Sequence, residues 1–165
     1  GSGKTSFAST LSAALGGARV VHLDDLYEGW SGLEGVAERL VDQVLAPLAA
    51  GKPGRYQRYS WEQERFAEWH DVPVATELVV EGCGSADRVV DDLAVLRVWV
   101  EAPPSVRLAR GLDRDGEALR HEWLRWSELE VAHFVRERTR ARSDLLVDGD
   151  PPVRPAGGAF TLLPG

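Results

Sequence analysis

Gly1-Ser2-Gly3-Lys4-Thr5 opens the sequence and decides its reading. These residues match the second half of a phosphate-binding loop, G-x-x-x-x-G-K-[ST]. Gly3, Lys4 and Thr5 supply the G-K-[ST]. The first glycine of the pattern and the strand that ordinarily feeds it would precede residue 1, so the expectation is a fragment of a longer chain that lacks its first, central strand. Backbone N–H groups wrap a crowded anion only where no Cβ intervenes, and Gly1 and Gly3 give that access. Gly1 through Ser6 form the expected cradle, with the positive end of the following helix facing the phosphates. Lys4 reaches the β- and γ-phosphates, and the Thr5 hydroxyl ligates Mg²⁺. The competing reading is a flexible Gly-Ser linker ahead of a lysine. Against it, Phe7, Ala8, Leu11, Ala14 and Leu15 follow at helical spacing, and Gly16-Gly17 end the run.

The chain has 165 residues, 44% hydrophobic and 27% charged, which fits one domain with a core of its own. No stretch approaches the roughly 20 apolar residues of a membrane span. One cysteine, Cys83, allows no internal disulfide and suits a reducing cytoplasm. The four histidines show no zinc-type spacing with Cys83. A net charge of −7 argues against nucleic acid as a partner. Nine arginines nevertheless fall between Arg107 and Arg142 against seven acids, so that stretch is locally basic. Arginine grips phosphate in a bidentate fork, but the same residues also serve as ion pairs along a helix.

Apolar runs at 19–23, 78–80, 96–100 and 145–147 read as buried strands. Ser31-Gly32-Leu33-Glu34 reads as a capping box ahead of a helix whose apolar face runs from Leu33 to Leu48, closed by Gly51 and Pro53. Residues 52–61 read as a polar, aromatic loop, 62–69 as a helix, and 86–93 as a short helix. Pro104 opens a helix to about residue 114, and a long helical stretch covers about 117–142. The expected domain is 1–150, with a helical lid over about 110–142. An irregular tail follows at 151–165, in which 159–163 could pair as a short strand. Apolar strands alternating with helices give the expected fold class: α/β, a parallel sheet flanked by helices on both faces. Ligands of such sheets bind beyond the carboxyl ends of the strands. That directs attention to Asp24-Asp25, Glu81-Gly82-Cys83 and Asp148-Gly149.

The chain resembles the uridine kinase-like branch of the P-loop kinases. The likeness rests on Gly3-Lys4-Thr5; on His22-Leu23-Asp24-Asp25-Leu26-Tyr27, similar to a D-[SD]-F-Y segment; on Tyr59-Ser60-Trp61, similar to Y-D-[FW]; on Val80-Glu81-Gly82; on Arg107 to Arg110 with Arg114-Asp115; and on Asp144 to Val147. It runs in order over nearly the whole chain. It implies transfer of the γ-phosphoryl group of ATP, with Mg²⁺, to a hydroxyl of a small-molecule acceptor such as uridine or cytidine. It also implies self-association, since family members are often oligomers. Rival readings keep the loop and change the acceptor to pantothenate, nicotinamide riboside or a sugar acid, or drop transfer altogether in favour of a regulatory nucleotide-binding module.

The resemblance makes Asp24 the general base, since transfer to an alcohol needs a carboxylate to hold the hydroxyl and take its proton. The alternative is an ordinary cap after a strand. Glu81 becomes an acid near the metal or substrate, or else a turn residue beside Gly82. Tyr27, Tyr59 and Trp61, with Trp30 and Tyr56, put rings in the two loops that would line an acceptor pocket; rings also anchor loops to a core. Arg110 and Arg114, four residues apart on one helix face, resemble lid arginines that meet developing phosphoryl charge, with Gly116 as a hinge. Either arginine could instead be surface charge.

Overall fold

Each of the four apolar runs becomes a parallel strand. The computed structural model describes residues 1–153 and 155–164. Along the chain it forms α1 (Lys4–Ala14), β1 (Arg19–His22), α2 (Val36–Leu40), α3 (Ala46–Ala49), β2 (Gly54–Ser60), β3 (Arg65–Val72), β4 (Leu78–Glu81), β5 (Val98–Glu101), α4 (Pro104–Asp115), α5 (Arg120–Glu137), α6 (Thr139–Arg142) and β6 (Leu145–Asp148). β1 pairs with β4 and β5 with β6, both parallel, while β2 and β3 form an antiparallel hairpin. The fold class is α/β with parallel strands flanked by helices, as expected. Two compact units divide the chain: Gly1–Thr10 with the chain from Leu96 onward, and Leu11–Val95.

In the first unit, in-register pairing sets Val98 beside Leu145 and Glu101 beside Asp148. The Arg97 amide donates to Asp144 Oδ2 at 2.7 Å and fixes where the pair begins. α5 covers β5 through an edge-on contact between Trp99 and Phe134, 4.7 Å apart. α4 meets α5 at Gly111, where a Cβ would come within 2.7 Å of the Trp123 ring. Glu130 of α5 is buried and has two charge-satisfying partners. Arg107 Nη1 donates to its Oε2 at 2.6 Å and Trp126 Nε1 to its Oε1 at 2.9 Å. From the tail, Leu162 forms an isolated antiparallel bridge with Val147, and Phe160 lies 4.6 Å from Phe7. Arg154 and Gly165 of the expected tail lie outside the described residues.

In the second unit, Val21, Leu23, Leu26, Leu33, Val36, Leu40, Val44 and Val72 form a fully buried core. α2 and α3 are one helical run joined by a π turn at Val41–Leu45. Gly51, at φ +70°, closes it as expected. Gly54 then passes so near the run that a Cβ would lie 2.9 Å from Val44 Cα, which seats the hairpin against the helix.

Five local expectations need correction. The 52–61 loop and the 62–69 helix are instead the β2–β3 hairpin. Glu62, Gln63, Glu64 and Ala67 favour helix locally, but Tyr56, Tyr59, Phe66 and Val72 gain burial only as paired strands. The register shifts between Gln57 and Tyr59, and Glu64 takes φ +50° at the turn. The capping box does not form: Ser31 lies in a 3₁₀ turn at Gly29–Ser31, and α2 begins after Gly35, at φ +80°, with no side-chain cap. The stretch over 117–142 is interrupted, because Leu119 ends a 3₁₀ turn and Arg138 at φ +54° separates α5 from α6. The helix expected over 86–93 is only a 3₁₀ turn at Arg88–Val90.

Across the hairpin, Arg58 Nε donates to Glu68 Oε1 at 2.5 Å and Nη2 to Oε2 at 3.1 Å. That fork, aided by a backbone bond and His70, holds the Glu68 carboxyl down at about 2 against its ordinary 4.5. A carboxyl depressed by folding contributes stability above its unfolded value and loses it as pH falls through the folded one. We therefore expect the pair's contribution to be complete above pH 4.5 and lost towards pH 2. A carboxyl NMR titration checks this: the Glu68 midpoint should move up towards 4.5 in Arg58→Gln.

Candidate functional site

Paired parallel strands end on the same side, and within each unit the candidate residues gather near those ends. In the first unit, Gly3 takes φ +98° and α1 starts immediately after it. The amide of Phe7 donates to the Gly3 carbonyl at 3.0 Å, so Lys4, Thr5 and Ser6 carry amides that a helix start leaves outside its own ladder. A Cβ on Gly3 would find only the Gly149 carbonyl oxygen, 3.9 Å away, so the loop has room at this point. Gly1 has no such room, because a Cβ there would overlap the backbone of Arg107. Nor has Gly149, just past β6, where a Cβ would overlap the Ser2 carbonyl oxygen. The glycines therefore have different uses: Gly3 leaves space, whereas Gly1 and Gly149 permit backbone to touch backbone.

Arg110 lies beside this contact. Its Nη1 donates to the carbonyls of Gly149 at 3.0 Å and Gly1 at 3.3 Å, and its Nη2 to Asp150 Oδ1 at 2.5 Å. Arg114, one turn further along α4, forks onto Asp115 at 2.7 and 3.0 Å and lies 5.7 Å from the Trp123 ring centre. At the end of β5, Glu101 Oε2 accepts from Arg140 Nε at 2.6 Å and from Trp99 Nε1 at 3.0 Å. These bonds, that of Arg140 foremost, hold the Glu101 carboxyl below its ordinary range against the opposing effect of burial.

In the second unit, the β1–β4 register sets His22 directly beside Glu81. The imidazole Nδ1 meets Glu81 Oε1 at 2.7 Å. The four residues after Leu23 are each tied down. Trp61 Nε1 donates to the Asp24 carbonyl at 2.9 Å. Tyr56 OH donates to Asp25 Oδ2 at 3.3 Å. Arg39 Nη1 donates to the Leu26 carbonyl at 2.5 Å. Tyr27 OH donates to the Cys83 carbonyl at 2.8 Å. The bond from Trp61 uses the backbone of Asp24 and not its carboxylate. Tyr59 stands edge-on to Trp61 at 5.7 Å, and Trp30 edge-on to Trp61 at 5.4 Å. Burial first, then the Asp25 charge, pushes the Tyr56 phenol above its ordinary value.

Within the first unit, the loop of Gly1, Ser2, Gly3, Lys4, Thr5 and Ser6 meets Arg110 at the Gly1 carbonyl. Within the second, Asp24, Tyr27, Tyr59, Trp61 and Glu81 gather around the ends of β1 and β4. The sequence reading gave no site role to His22, Arg39 or Asp150. His22 had a readable signal, its place at the end of an apolar run. The roles of Arg39 and Asp150 depend on partners 13 and 40 residues away. Among the described residues, no three His, Cys, Asp or Glu side chains group as a metal cage, and no helix is long and apolar enough to cross a membrane.

No protein-family model matches the chain, and no curated protein does. Among solved structures it is similar to that of a possible uridine kinase from Bacillus stearothermophilus, with a TM-score of 0.63 and 19% identity over 88% of this chain and 82% of that one. The chain thus shares the fold of that structure.

The segment after β1 depends on Gly82. It takes φ +137°, and a Cβ there would sit 2.6 Å from Leu23 Cβ and 3.0 Å from Tyr27 OH. Gly82→Ala should cost about 3 kcal/mol through strain and overpacking. Calorimetry should then show a melting temperature lower by about 10 °C.

Proposed function

We propose that this protein is a kinase that transfers the γ-phosphoryl group of ATP to a hydroxyl of a small-molecule acceptor, a nucleoside of the uridine or cytidine kind. The observation that carries the reading is the start of α1. Gly3-Lys4-Thr5 opens that helix in a uridine kinase-like fold, with backbone space at Gly3 where an anion can approach. The residues fit the groups they would hold. The Lys4 ammonium and the first-turn amides suit phosphate. The Thr5 hydroxyl and the Glu81 carboxylate are hard oxygen donors. Mg²⁺ asks for no more than one or two such protein ligands beside phosphate and water, which agrees with the lack of a carboxylate cage among the described residues.

When bound, ATP supplies the transferable group and Mg²⁺ offsets its charge. Lys4 and the loop amides hold the phosphates. Asp24 holds the acceptor hydroxyl and accepts its proton as the oxygen bonds to phosphorus. His22 keeps the Glu81 carboxylate oriented through the 2.7 Å contact. Tyr59 and Trp61 offer ring faces for stacking on a base. Arg114 has the more exposed side chain of the two lid arginines, 59% against 32%, and steadies the transferring group. The single buried cysteine fits a cytoplasmic setting. A domain spanning 1–150 with a lid over about 110–142, and assembly as a homo-oligomer, complete the proposal.

Asp24→Asn tests it, since the amide keeps the shape and loses the basicity. Acceptor-dependent ADP formation, measured over a panel of nucleosides and other alcohols, should fall by about 10² to 10⁴. Binding of ATP should be preserved, seen as a retained thermal shift that Lys4→Ala abolishes. An Asp24→Asn variant as fast as the parent removes the base assignment. If no acceptor stimulates ADP release while ATP still shifts the melting curve, the protein is a regulatory nucleotide-binding module.

A further inference from the structure

We infer that Arg110 is a positioning residue that locks the phosphate-binding loop to the turn after β6, so that the donor site exists in its binding shape before any nucleotide arrives. This rests on the reading of Gly1–Thr5 as the donor site. Arg110 is rooted in α4 and its guanidinium spans two segments far apart in sequence, accepted by Gly1 on one side and by Gly149 and Asp150 on the other. The two segments are already in backbone contact, because a Cβ on Gly149 would overlap the Ser2 carbonyl. The Gly1 and Gly149 carbonyl oxygens both converge on Arg110 Nη1, and two acceptor dipoles aimed at one point repel unless a donor lies between them. A planar cation with several donors is the group that relieves this, and Arg110 donates to a carbonyl on each side.

The turn is itself built to present those acceptors. The Asp150 amide donates to Asp148 Oδ1 at 2.8 Å, and the Gly149 amide to the Glu101 carbonyl at 2.7 Å. Asp150 is therefore held where its carboxylate completes the fork at 2.5 Å. α4 also presses on the loop through the backbone of Arg107, where Gly1 leaves no room for a Cβ. The Arg107 side chain in turn is fixed to buried Glu130. The helix carrying Arg110 is thus anchored to α5 one turn earlier, and an anchored helix can hold a loop still. A loop held in its bound form binds more tightly because less ordering is left to the ligand.

Arg110→Ala and Asp150→Asn, alone and combined, test the clamp in the intact protein. Asp150→Asn is nearly isosteric and cannot itself repel or attract a phosphate as Asp does, so it probes the clamp without removing a cation. Amide hydrogen exchange is read without ligand over residues 1–5 and 148–151, and ATP affinity by calorimetry. In Arg110→Ala, exchange in both segments should rise about tenfold while β5 and β6 stay protected, and ATP should bind about tenfold more weakly. Asp150→Asn should raise exchange in both segments by less, and in exchange the double variant should be no worse than Arg110→Ala. Should Arg110→Ala fail to fold, Asp150→Asn carries the test alone. The inference is overturned if exchange and ATP affinity are unchanged while turnover falls, which would make Arg110 a group that meets the phosphoryl during transfer. It is equally overturned if Asp150→Asn leaves exchange in both segments at parental values. If the parent binds no ATP yet exchange rises in both segments of Arg110→Ala, the clamp stands and the kinase reading falls.

Discussion

Parallel strands in register finish level with one another, and this constraint organises both units. His22 ends beside Glu81 because Arg19 starts beside Leu78, and Glu101 ends beside Asp148 because Val98 starts beside Leu145. A slip of one residue would turn the acids to the opposite face of the strand. Every residue given a chemical role at a strand end owes its place to that alignment. The apolar side chains that fix it, Val21, Val79 and Val147 among them, never touch the chemistry.

The acidic segment after β1 shows how much packing a short irregular segment requires. Asp24 to Tyr27 make a 3₁₀ turn and its exit, too short to hold themselves. The hairpin contributes Trp61 and Tyr56, the helical run contributes Arg39, and Tyr27 reaches across to the end of β4. Arg39 also lies 4.6 Å from the Phe66 ring, so one cation joins helix, loop and hairpin. The rings that sequence reading assigned to stacking are partly structural. Trp61 spends its N–H on backbone while leaving ring surface exposed, and Tyr56 is almost wholly buried.

What the sequence made legible follows from range. The four apolar strands and the closure at Gly51 are local signals, each set by a few neighbouring residues, and they hold. The hairpin was illegible because its stability comes from pairing Tyr56 with His70 and Tyr59 with Phe66, while its turn is spelled in helix-favouring Glu and Gln. The breaks in the 117–142 stretch depend on Arg138 adopting a left-handed backbone, which no residue preference announces. In the basic stretch, ion pairs along a helix were the legible part. Arg120 with Glu117 and Arg125 with Glu122 are pairs along one helical surface. Arg107, Arg110 and Arg140 reach partners 23 to 109 residues away, and no spacing rule reveals such contacts.

The π turn at Val41–Leu45 has a consequence for how this protein can change in length. A π turn holds one residue more than an α turn over nearly the same rise, so the helical run stores a spare residue in mid-course. Val44 stays inside the core across it, whereas Gln43 has a buried side-chain oxygen for which no hydrogen-bond partner is present among the described residues. Loss of a single codon here would let the run settle into unbroken α geometry with both ends in place. Of all the regular elements in the second unit, this is the one where an indel could be absorbed without dislodging the hairpin.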